Sequence, residues 1–264
     1  MNIAIVTGAS SGMGKEFVLQ LSQYVQVDEI WTIARREDAL KALQAAVPVR
    51  PVPLDLCDSA SFGRLAALLE AEKPDVKLLV NAAGFGKMGR HDRIPVEEEC
   101  RMIDLNCKAL VAVTRLVLPY MRAGSHILQL DSLSAFQPVP YLTTYGATKS
   151  FVLSYSRAMN RELKPSGIRM MSMNPGWVKT EFFNHAFQTN SGSEVQYFST
   201  LWEAQDVVAT GLKDLYRTRK DYSVHGFSVR MQVRLVKLLP HRMVMNIWQK
   251  QQKRAKNNTG LTTK

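Results

Sequence analysis

The sequence predicts an α/β fold in which helices cover both faces of a doubly wound parallel sheet of about seven strands. Three observations support this prediction. Short apolar segments alternate with longer amphipathic ones along the chain. The apolar segments are hydrophobic on both faces, as strands covered from two sides must be. The chain has 264 residues and is 46% hydrophobic, which is enough for one sizeable core and a single domain.

The individual elements follow from these patterns. Strands are predicted for residues 3–7, 30–34, 49–53, 76–81, 126–131 and 168–174, with a short seventh near 222–224. Helices are predicted for residues 12–24, 37–46, 59–72, 95–121, 143–164 and 203–216. No repeat or composition shift precedes about residue 226, so we expect one domain over residues 1–226 and an extension over residues 227–264.

Charge and cysteine content exclude several classes of protein. The net charge is +11, but residues 1–212 carry 21 basic and 21 acidic side chains, and residues 213–264 carry 13 and 2. A neutral body with a basic tail is not typical of a nucleic-acid-binding protein. Three cysteines without metal-ligand spacing favour a reducing compartment and predict no metal site. Because there is no signal-like leader and no apolar run long enough to span a bilayer, the cytoplasm is the expected location.

A glycine-rich loop follows the first predicted strand. Glycines let the backbone turn sharply and approach a pyrophosphate, whose charge is stabilised by the N–H groups at the start of the next helix. A tight turn without a ligand is the alternative interpretation. The spacing Thr-Gly-x-x-x-Gly-x-Gly over residues 7–14 resembles the loop of the short-chain dehydrogenase/reductase family, and so predicts a Rossmann-like fold. The resemblance implies cofactor contacts from Gly8, Ser10, Ser11, Gly12, Met13 and Gly14.

The end of the second predicted strand indicates which cofactor is used. An NAD site needs an acid there for the ribose hydroxyls, whereas this chain has Arg35 and Arg36. Two guanidiniums suit a 2′-phosphate, so NADP(H) is the expected cofactor, with Arg35 as the main contact and Ser10 as a helper. The alternative is that Arg36 only pairs with acids at the start of the next helix. Asp55 and Leu56 follow the third strand, where the family holds the adenine.

A candidate catalytic set lies further along the chain. Tyr145 and Lys149 are one helical turn apart and project from one face, where an ammonium near a phenol lowers the phenol pKa. Ser132 ends the fifth predicted strand, at the sheet edge where such folds bind ligands. These three residues match the catalytic triad of the family in type and spacing. Asn106 matches its fourth catalytic residue, and the resemblance implies that it holds a water in a proton relay to the lysine.

Two further segments resemble the same family. Residues 174–180 match its Pro-Gly segment, which implies nicotinamide contacts from Pro175, Gly176, Val178 and Thr180. Residues 81–84 resemble its Asn-Asn-Ala-Gly motif, with Ala replacing the second Asn, and add Asn81, Ala82, Ala83 and Gly84 to the expected cofactor contacts, beside Tyr145 and Lys149. The implied reaction is hydride transfer to a carbonyl carbon, with Tyr145 giving the proton and Ser132 holding the oxygen.

Aromatic residues are dense around the same edge of the predicted sheet. They favour a bulky apolar carbonyl substrate, such as a ketosteroid or bile acid, a β-ketoacyl thioester or a xenobiotic ketone. Packing of the loops on their own body is the alternative for some of them. The candidate substrate contacts are Phe85, Ser134, Phe136, Tyr141, Trp177, Phe182, Phe183 and Phe187.

The extension contains an amphipathic segment over residues 227–239 and a second over 243–248. Basic residues form one face of the first segment, namely Arg230, Arg234, Lys237 and His241. Apolar residues form the opposite face, namely Val229, Val233, Leu235, Val236 and Leu239. Such a segment can cap the core, form a homodimer or other homo-oligomer, or lie on an anionic membrane. Packing or dimerisation comes first because it needs no further component.

Three functions agree with these observations. The leading one is an NADP(H)-dependent carbonyl reductase, because NADP(H) pools usually run reductively. The second is an alcohol-oxidising dehydrogenase of the hydroxysteroid type. The third is a non-catalytic NADP-sensing protein on the same scaffold, which the presence of both Tyr145 and Lys149 disfavours.

Overall fold

The computed structural model describes residues 1–182, 186, 194–198 and 200–259, the last four of these by their backbone alone. The strands are β1 (Asn2–Thr7), β2 (Glu29–Ala34), β3 (Val49–Pro53), β4 (Asp75–Asn81), β5 (His126–Leu130), β6 (Arg169–Met173), β7 (Trp177–Lys179), β8 (Leu201–Glu203) and β9 (Tyr222–Ser223). The helices are α1 (Gly12–Gln20), α2 (Glu37–Lys41), α3 (Ala60–Glu72), α4 (Val96–Ile103), α5 (Leu110–Val117), α6 (Thr143–Glu162), α7 (Ala204–Arg217), α8 (Phe227–Leu238) and α9 (His241–Thr259).

Seven parallel strands form the main sheet in the order β3-β2-β1-β4-β5-β6-β9. The strand order reverses between β1 and β4, which creates the crevice at the carboxyl edge where doubly wound folds bind ligands. The predicted fold class and the positions of all seven strands are confirmed. The sequence patterns missed a small parallel sheet of β7 and β8, because each of its strands has only three residues.

Helices cover both faces of the sheet. Ala4 and Val6 of β1 belong to an apolar cluster with side chains of α1 and α7, whereas Ile3 and Ile5 belong to a cluster with α3 and α5 on the other side. Alternate residues of the strand therefore face two separate cores. This arrangement explains why the strands are apolar on both faces.

The C-terminal extension packs directly on this body. Val229 and Val233 of α8 are buried in a cluster with Phe136 and Tyr222. The prediction that Leu235 belongs to the buried apolar face is wrong, since this residue is 57% exposed. Val229, Val233 and Val236 define the inner side of the helix, and Leu235 lies away from it. Among the described helices, none is long and apolar enough to cross a membrane.

Candidate active site

The loop between β1 and α1 requires its glycines for close backbone contacts. Gly8 and Gly12 have φ angles of +68° and +53°, which residues with side chains rarely adopt. A Cβ on Gly8 would lie 2.7 Å from the backbone nitrogen of Ala83. The Thr7 hydroxyl accepts hydrogen bonds of 3.1 Å from the N–H groups of Ala82 and Ala83, which joins the loop to the end of β4. The uncapped N-terminus of α1 thereby opens on the carboxyl edge of the sheet.

A cleft of about 540 Å³ follows this edge past the ends of β2 and β3. It combines the amides of the glycine loop, two guanidiniums and apolar side chains, and this chemistry fits a dinucleotide phosphate. The predicted cofactor contacts that line it are Gly8, Ser10, Ser11, Gly12, Met13, Gly14, Arg35, Arg36, Asp55, Leu56, Ala82, Ala83, Gly84 and Thr180. Sequence reasoning missed several further lining residues, of which four are charged, namely Lys87, Glu98, Arg101 and Glu181.

Arg36 is the arginine that contacts the glycine loop. Its guanidinium donates to Ser10 Oγ at 3.3 Å and forms an ion pair of 3.1 Å with Glu181. Both partners of that pair are about half exposed, so the pair contributes little to stability. The alternative pairing of Arg36 with acids of α2 is not seen. Arg35 is exposed and lines the same cleft.

The Asn81 side chain does not line the cleft in which the cofactor contacts were predicted. Its side chain is buried and donates from Nδ2 to Thr114 Oγ1 at 3.0 Å, so it joins β4 to α5. It lines neither the dinucleotide cleft nor the neighbouring cavity. Because side chains alternate along a strand, this residue faces the helix layer rather than the ligand edge.

Ser132, Tyr145 and Lys149 meet where the dinucleotide cleft adjoins a second cavity. Ser132 follows β5, its side chain is near enough to Tyr145 to lower the pKa of the phenol, and its Oγ accepts from the N–H of Ser134 at 3.2 Å. Lys149 follows Tyr145 by one turn of α6; its Nζ lies 5.7 Å from the centre of the tyrosine ring and donates to the Leu130 carbonyl at 2.9 Å. Tyr145 and Lys149 are 8% and 5% exposed, so their proton chemistry is shielded from bulk water.

The electrostatics of this set differ from the sequence-based expectation. Burial raises the pKa of Tyr145 above its usual value; the hydrogen bond with Ser132 opposes this shift and the charge of Asp131 adds to it. Burial also lowers the pKa of Lys149, while Asp131 and Cys107 raise it. The net shift is therefore opposite to the lowering that was expected from Lys149, because burial outweighs the other influences. Tyr145 consequently holds its proton firmly.

Asn106 lies in a π-helical turn over residues 104–109, an irregularity often found at functional sites. The turn replaces part of the single helix predicted for residues 95–121. Asn106 Nδ2 donates to the Phe85 carbonyl at 2.9 Å and to Thr148 Oγ1 at 3.1 Å. A Cβ on Gly84 would lie 3.0 Å from Asn106 Oδ1 and 3.7 Å from Lys149 Nζ, so the amide and the ammonium face one stretch of backbone. This placement fits the predicted neighbourhood of Asn106 and the lysine.

The second cavity has a volume of about 150 Å³ and is mostly apolar. The predicted nicotinamide contacts Pro175, Gly176 and Val178 line it, as do the predicted substrate contacts Ser134, Phe136, Trp177 and Phe182. Phe85 and Tyr141 do not line it. Phe85 lines the dinucleotide cleft because its backbone is hydrogen-bonded to Asn106, and Tyr141 packs in the adjoining apolar cluster. Phe183 and Phe187 lie outside the described residues.

The extension supplies a wall of this cavity that sequence reasoning missed. Val233 and Val236 of α8 and Trp248 of α9 line it. The Trp248 indole donates to the Pro140 carbonyl at 3.0 Å, in the loop that follows Ser132. Amphipathic spacing identified the buried face of α8 but carries no information on what that face covers. Residues of the extension therefore form part of the cavity beside Tyr145.

Gly86 is another site residue without a sequence signal. A Cβ at this position would lie 2.7 Å from Cδ2 of Tyr145 and 2.8 Å from Cζ of Phe182. The catalytic ring therefore rests directly on backbone, which restricts where the phenol oxygen can lie. Among the described residues, no group of three or more His, Cys, Asp or Glu side chains is arranged to hold a metal ion.

A dinucleotide cleft that meets a buried Ser, Tyr and Lys is suited to hydride transfer between the dinucleotide and a small molecule. The protein is therefore an oxidoreductase of the nicotinamide-dependent class. Comparison with the sequences of known proteins identifies the family within this class. The family described as short chain dehydrogenase matches residues 2–191. An NADP-dependent 3-hydroxy acid dehydrogenase of Escherichia coli is 33% identical over 206 residues, 75% of this chain and 82% of that protein. The chain belongs to the short-chain dehydrogenase/reductase family.

Two other similar proteins cover more of the chain. An uncharacterized oxidoreductase of Myxococcus xanthus is 30% identical over 246 residues, 90% of this chain and 92% of that protein. The solved structure of a short-chain dehydrogenase from Sphingobium yanoikuyae, in complex with NADPH, has a TM-score of 0.77 at 27% identity and covers 89% of this chain and 92% of its own. Family membership therefore rests on both sequence and fold.

Proposed function

We propose that the protein reduces the carbonyl group of an apolar ketone with NADPH. The observation that carries this proposal is the position of Tyr145, buried where an apolar cavity meets the dinucleotide cleft. A carbonyl oxygen at this junction is within the reach of two hydroxyl groups, and the rest of its molecule is surrounded by apolar side chains. A small sugar would leave its own hydroxyls unpaired in such a cavity.

NADP(H) is the cofactor that the cleft fits best. Arg35 and Arg36 line it at the end of β2, where an NAD site needs an acid. Arg36 already lies beside Ser10 and Glu181, so a 2′-phosphate would take the place of the Glu181 carboxylate as its anionic partner. The NADP-dependent relative from Escherichia coli and the NADPH complex from Sphingobium support the same assignment.

When bound, NADPH supplies the hydride that reduces the carbonyl carbon. The Ser132 hydroxyl donates to the carbonyl oxygen and orients it. Tyr145 gives its proton to the same oxygen as negative charge develops there, and its raised pKa ensures that the proton is present at neutral pH. The Lys149 ammonium stabilises the phenolate that remains. Asn106 Oδ1, which faces Gly84 beside Lys149, would hold the water that returns a proton to this set.

The volume of the cavity limits the size of the ketone that can bind. A cavity of about 150 Å³ holds a group of roughly the volume of benzene. An aryl or branched alkyl ketone therefore fits better than a fused-ring steroid, which would require Trp248 to move. The aromatic side chains of Phe136, Trp177 and Phe182 give the cavity flat apolar walls.

Consumption of NADPH and NADH, followed in parallel with an aryl methyl ketone, a ketosteroid and a β-ketoacyl thioester, tests this proposal. We expect NADPH-dependent reduction, fastest with the aryl ketone. Tyr145→Phe should lower kcat by about 10²- to 10⁴-fold, because it removes the proton donor and leaves the ring. Arg36→Asp should raise the KM for NADPH and leave that for NADH nearly unchanged.

Three results would contradict the proposal. Equal rates for Tyr145→Phe and the native chain would show that Tyr145 is not the proton donor. A preference for NADH would show that Arg35 and Arg36 do not select a cofactor with a 2′-phosphate. Turnover of alcohols without turnover of any ketone would leave the oxidative direction as the function.

A further inference from the structure

The two C-terminal helices expose a group of large apolar residues. Phe227, Met231, Leu235 and Leu238 lie at spacings of four, four and three residues, which return to one side of α8. Phe227 is 72% exposed and Leu238 is 82% exposed. On α9 the exposed residues Met243 and Ile247 continue the pattern. We refer to these six side chains as the outer stripe.

Fold stability does not account for the outer stripe. The opposite side of α8 already buries Val229, Val233 and Val236, and α9 buries Val244 and places Trp248 against the body. Both helices are therefore fixed without the outer stripe. Of the twelve exposed large hydrophobic side chains in the described part of the chain, six lie within residues 227–247. Such a concentration of apolar surface marks a contact site.

The charged residues of α8 and α9 are all basic. Residues 222–264 contain no Asp or Glu. Within residues 222–255 the basic side chains are Arg230, Arg234, Lys237, Arg242, Lys250, Lys253 and Arg254. None of these seven forms an ion pair with a carboxylate among the described residues. Lys237 donates to the Tyr222 hydroxyl at 2.9 Å and lies over the Phe136 and Tyr222 rings, so it is directed toward the body. The surface thus combines exposed apolar side chains with cations that no carboxylate pairs, chiefly Arg234, Arg242, Lys250, Lys253 and Arg254.

We propose that α8 and α9 form a docking surface for an anionic lipid bilayer. Apolar side chains enter the boundary between headgroups and acyl chains, and flanking Arg and Lys side chains meet the lipid phosphates, so both features of the surface are used. A second copy of the chain fits less well. Two-fold pairing of this surface would bring the same cations of both copies together, with no carboxylate on either side to offset them.

Docking in this orientation would bring the substrate cavity close to the lipid. Val233 and Val236 line the cavity from the inner side of α8, the helix whose outer side carries four residues of the outer stripe. An apolar ketone dissolved in the bilayer would then lie one helix diameter from the catalytic set. The docking proposal does not depend on the reductase activity, because lipid binding is measured without a substrate.

Sedimentation of the full chain with vesicles tests the proposal. We expect binding to vesicles of phosphatidylglycerol and phosphatidylcholine in equal parts, weakened by added salt, and much weaker binding to phosphatidylcholine alone. Leu235→Gln combined with Leu238→Gln should weaken binding about tenfold or more. Arg234→Glu combined with Arg242→Glu should weaken it about 30-fold or more. The matched control is Val96→Gln combined with Ile103→Gln on α4, which removes exposed apolar side chains elsewhere and should leave binding unchanged.

Each variant is first checked for NADPH binding and for its thermal unfolding temperature, so that a loss of fold is not mistaken for a loss of docking. Equal binding to both vesicle types, or binding to neither, would overturn the proposal. The same holds if the molecular mass in solution, without lipid, falls from dimer to monomer in the Leu235→Gln, Leu238→Gln variant, because a second copy would then be the occupant. A control variant that loses as much binding as the stripe variants would make the effect non-specific.

Discussion

A single buried carboxyl, that of Asp131, lies directly beneath the catalytic set. It is 2% exposed, and its Oδ2 accepts hydrogen bonds from Asn174 Nδ2 at 2.7 Å and Ser172 Oγ at 3.0 Å. Burial raises the pKa of Asp131 from 3.8 to about 7, although the charge of Lys149 and these hydrogen bonds lower it. The titratable groups that face it from other elements are Lys149 and Tyr145 on α6 and Cys107 in the π-helical turn. The charge of Asp131 therefore acts on both Lys149 and Tyr145.

Replacing this carboxyl should change how stability depends on pH. Because the folded-state pKa of Asp131 is above its unfolded value, the folded chain holds an extra proton between about pH 3.8 and pH 7. The free energy of unfolding therefore falls as pH rises through that window. Asp131→Asn removes this fall. The free energy of unfolding of the variant, relative to that of the native chain, should therefore increase by about 2 to 4 kcal/mol from pH 4 to pH 8. Urea unfolding at a series of pH values measures the difference.

Kinetics separate an electrostatic role of Asp131 from simple packing. The ionised carboxylate raises the pKa of Lys149, so its removal should move the alkaline limb of the kcat profile to lower pH. The exposed residue Asp38 provides the control, since Asp38→Asn should leave both profiles unchanged. If Asp131→Asn loses stability equally at every pH and its kcat profile keeps its shape, the carboxyl acts only by filling space.

The residues that sequence patterns could identify are those whose chemistry requires one residue type at one place. The glycine loop, Ser132, Tyr145, Lys149 and Asn106 belong to this group, and all lie at the predicted edge of the sheet. Asn81 misled the prediction because its strand position, not its residue type, decides which way it points. Gly86 gave no signal, because only a three-dimensional contact with the Tyr145 ring makes its hydrogen side chain necessary.

At the scale of elements, β5 begins with a histidine that pH should affect strongly. The His126 ring lies 4.4 Å from that of Tyr216 at the start of the strand. Burial first, and then the charge of Arg169, lower the pKa of His126 from 6.5 to about 4. The folded state therefore keeps this imidazole neutral down to about pH 4, whereas the unfolded chain protonates it near pH 6.5.

The free energy of unfolding should therefore decrease as pH falls from 6.5 to 4, because protons bind the unfolded chain first. For His126 this loss is about 2 kcal/mol, allowing for partial exposure of the ring. His126→Phe keeps the ring contact with Tyr216 and should remove this part of the acid sensitivity. Thermal unfolding at pH 4.5 and pH 7.5 measures it, with His91→Phe at an exposed position as the control. A variant with undiminished acid sensitivity would show that other groups cause it.

Element positions were predictable where a periodic pattern extends over several residues. The seven strands of the main sheet and the helices between them follow from apolar runs and amphipathic spacing. Residues 95–121 read as one helix, because a π-helical turn of six residues hardly disturbs that spacing. β7 and β8 are held by pairing with one another, so their formation depends on residues more than twenty positions apart.

At the scale of the whole molecule, the C-terminal extension closes the substrate site. Trp248 donates to the Pro140 carbonyl in the loop after Ser132. Gln252 is 3% exposed and accepts the backbone N–H groups of Gln196 and Tyr197 at 2.8 Å and 2.9 Å. The last helix thus contacts the loop after Ser132, whose Val139 and Leu142 line the cavity, and also the segment of residues 196 and 197. Periodicity predicted a helix here, but the sequence contains no pattern that assigns it to the substrate site.

Trp248 should therefore set the size of the ketone that the enzyme accepts. Trp248→Ala removes the indole from the cavity wall, so kcat/KM should rise about tenfold for a two-ring ketone relative to an aryl methyl ketone. Trp248→Phe should change this ratio much less, because it loses the hydrogen bond to Pro140 but keeps an aromatic wall. Phe227→Ala, on the outer side of the neighbouring helix, is the control for soluble substrates and should leave the ratio unchanged. If Trp248→Ala reduces kcat/KM equally for both ketones, α9 supports the fold without selecting the substrate.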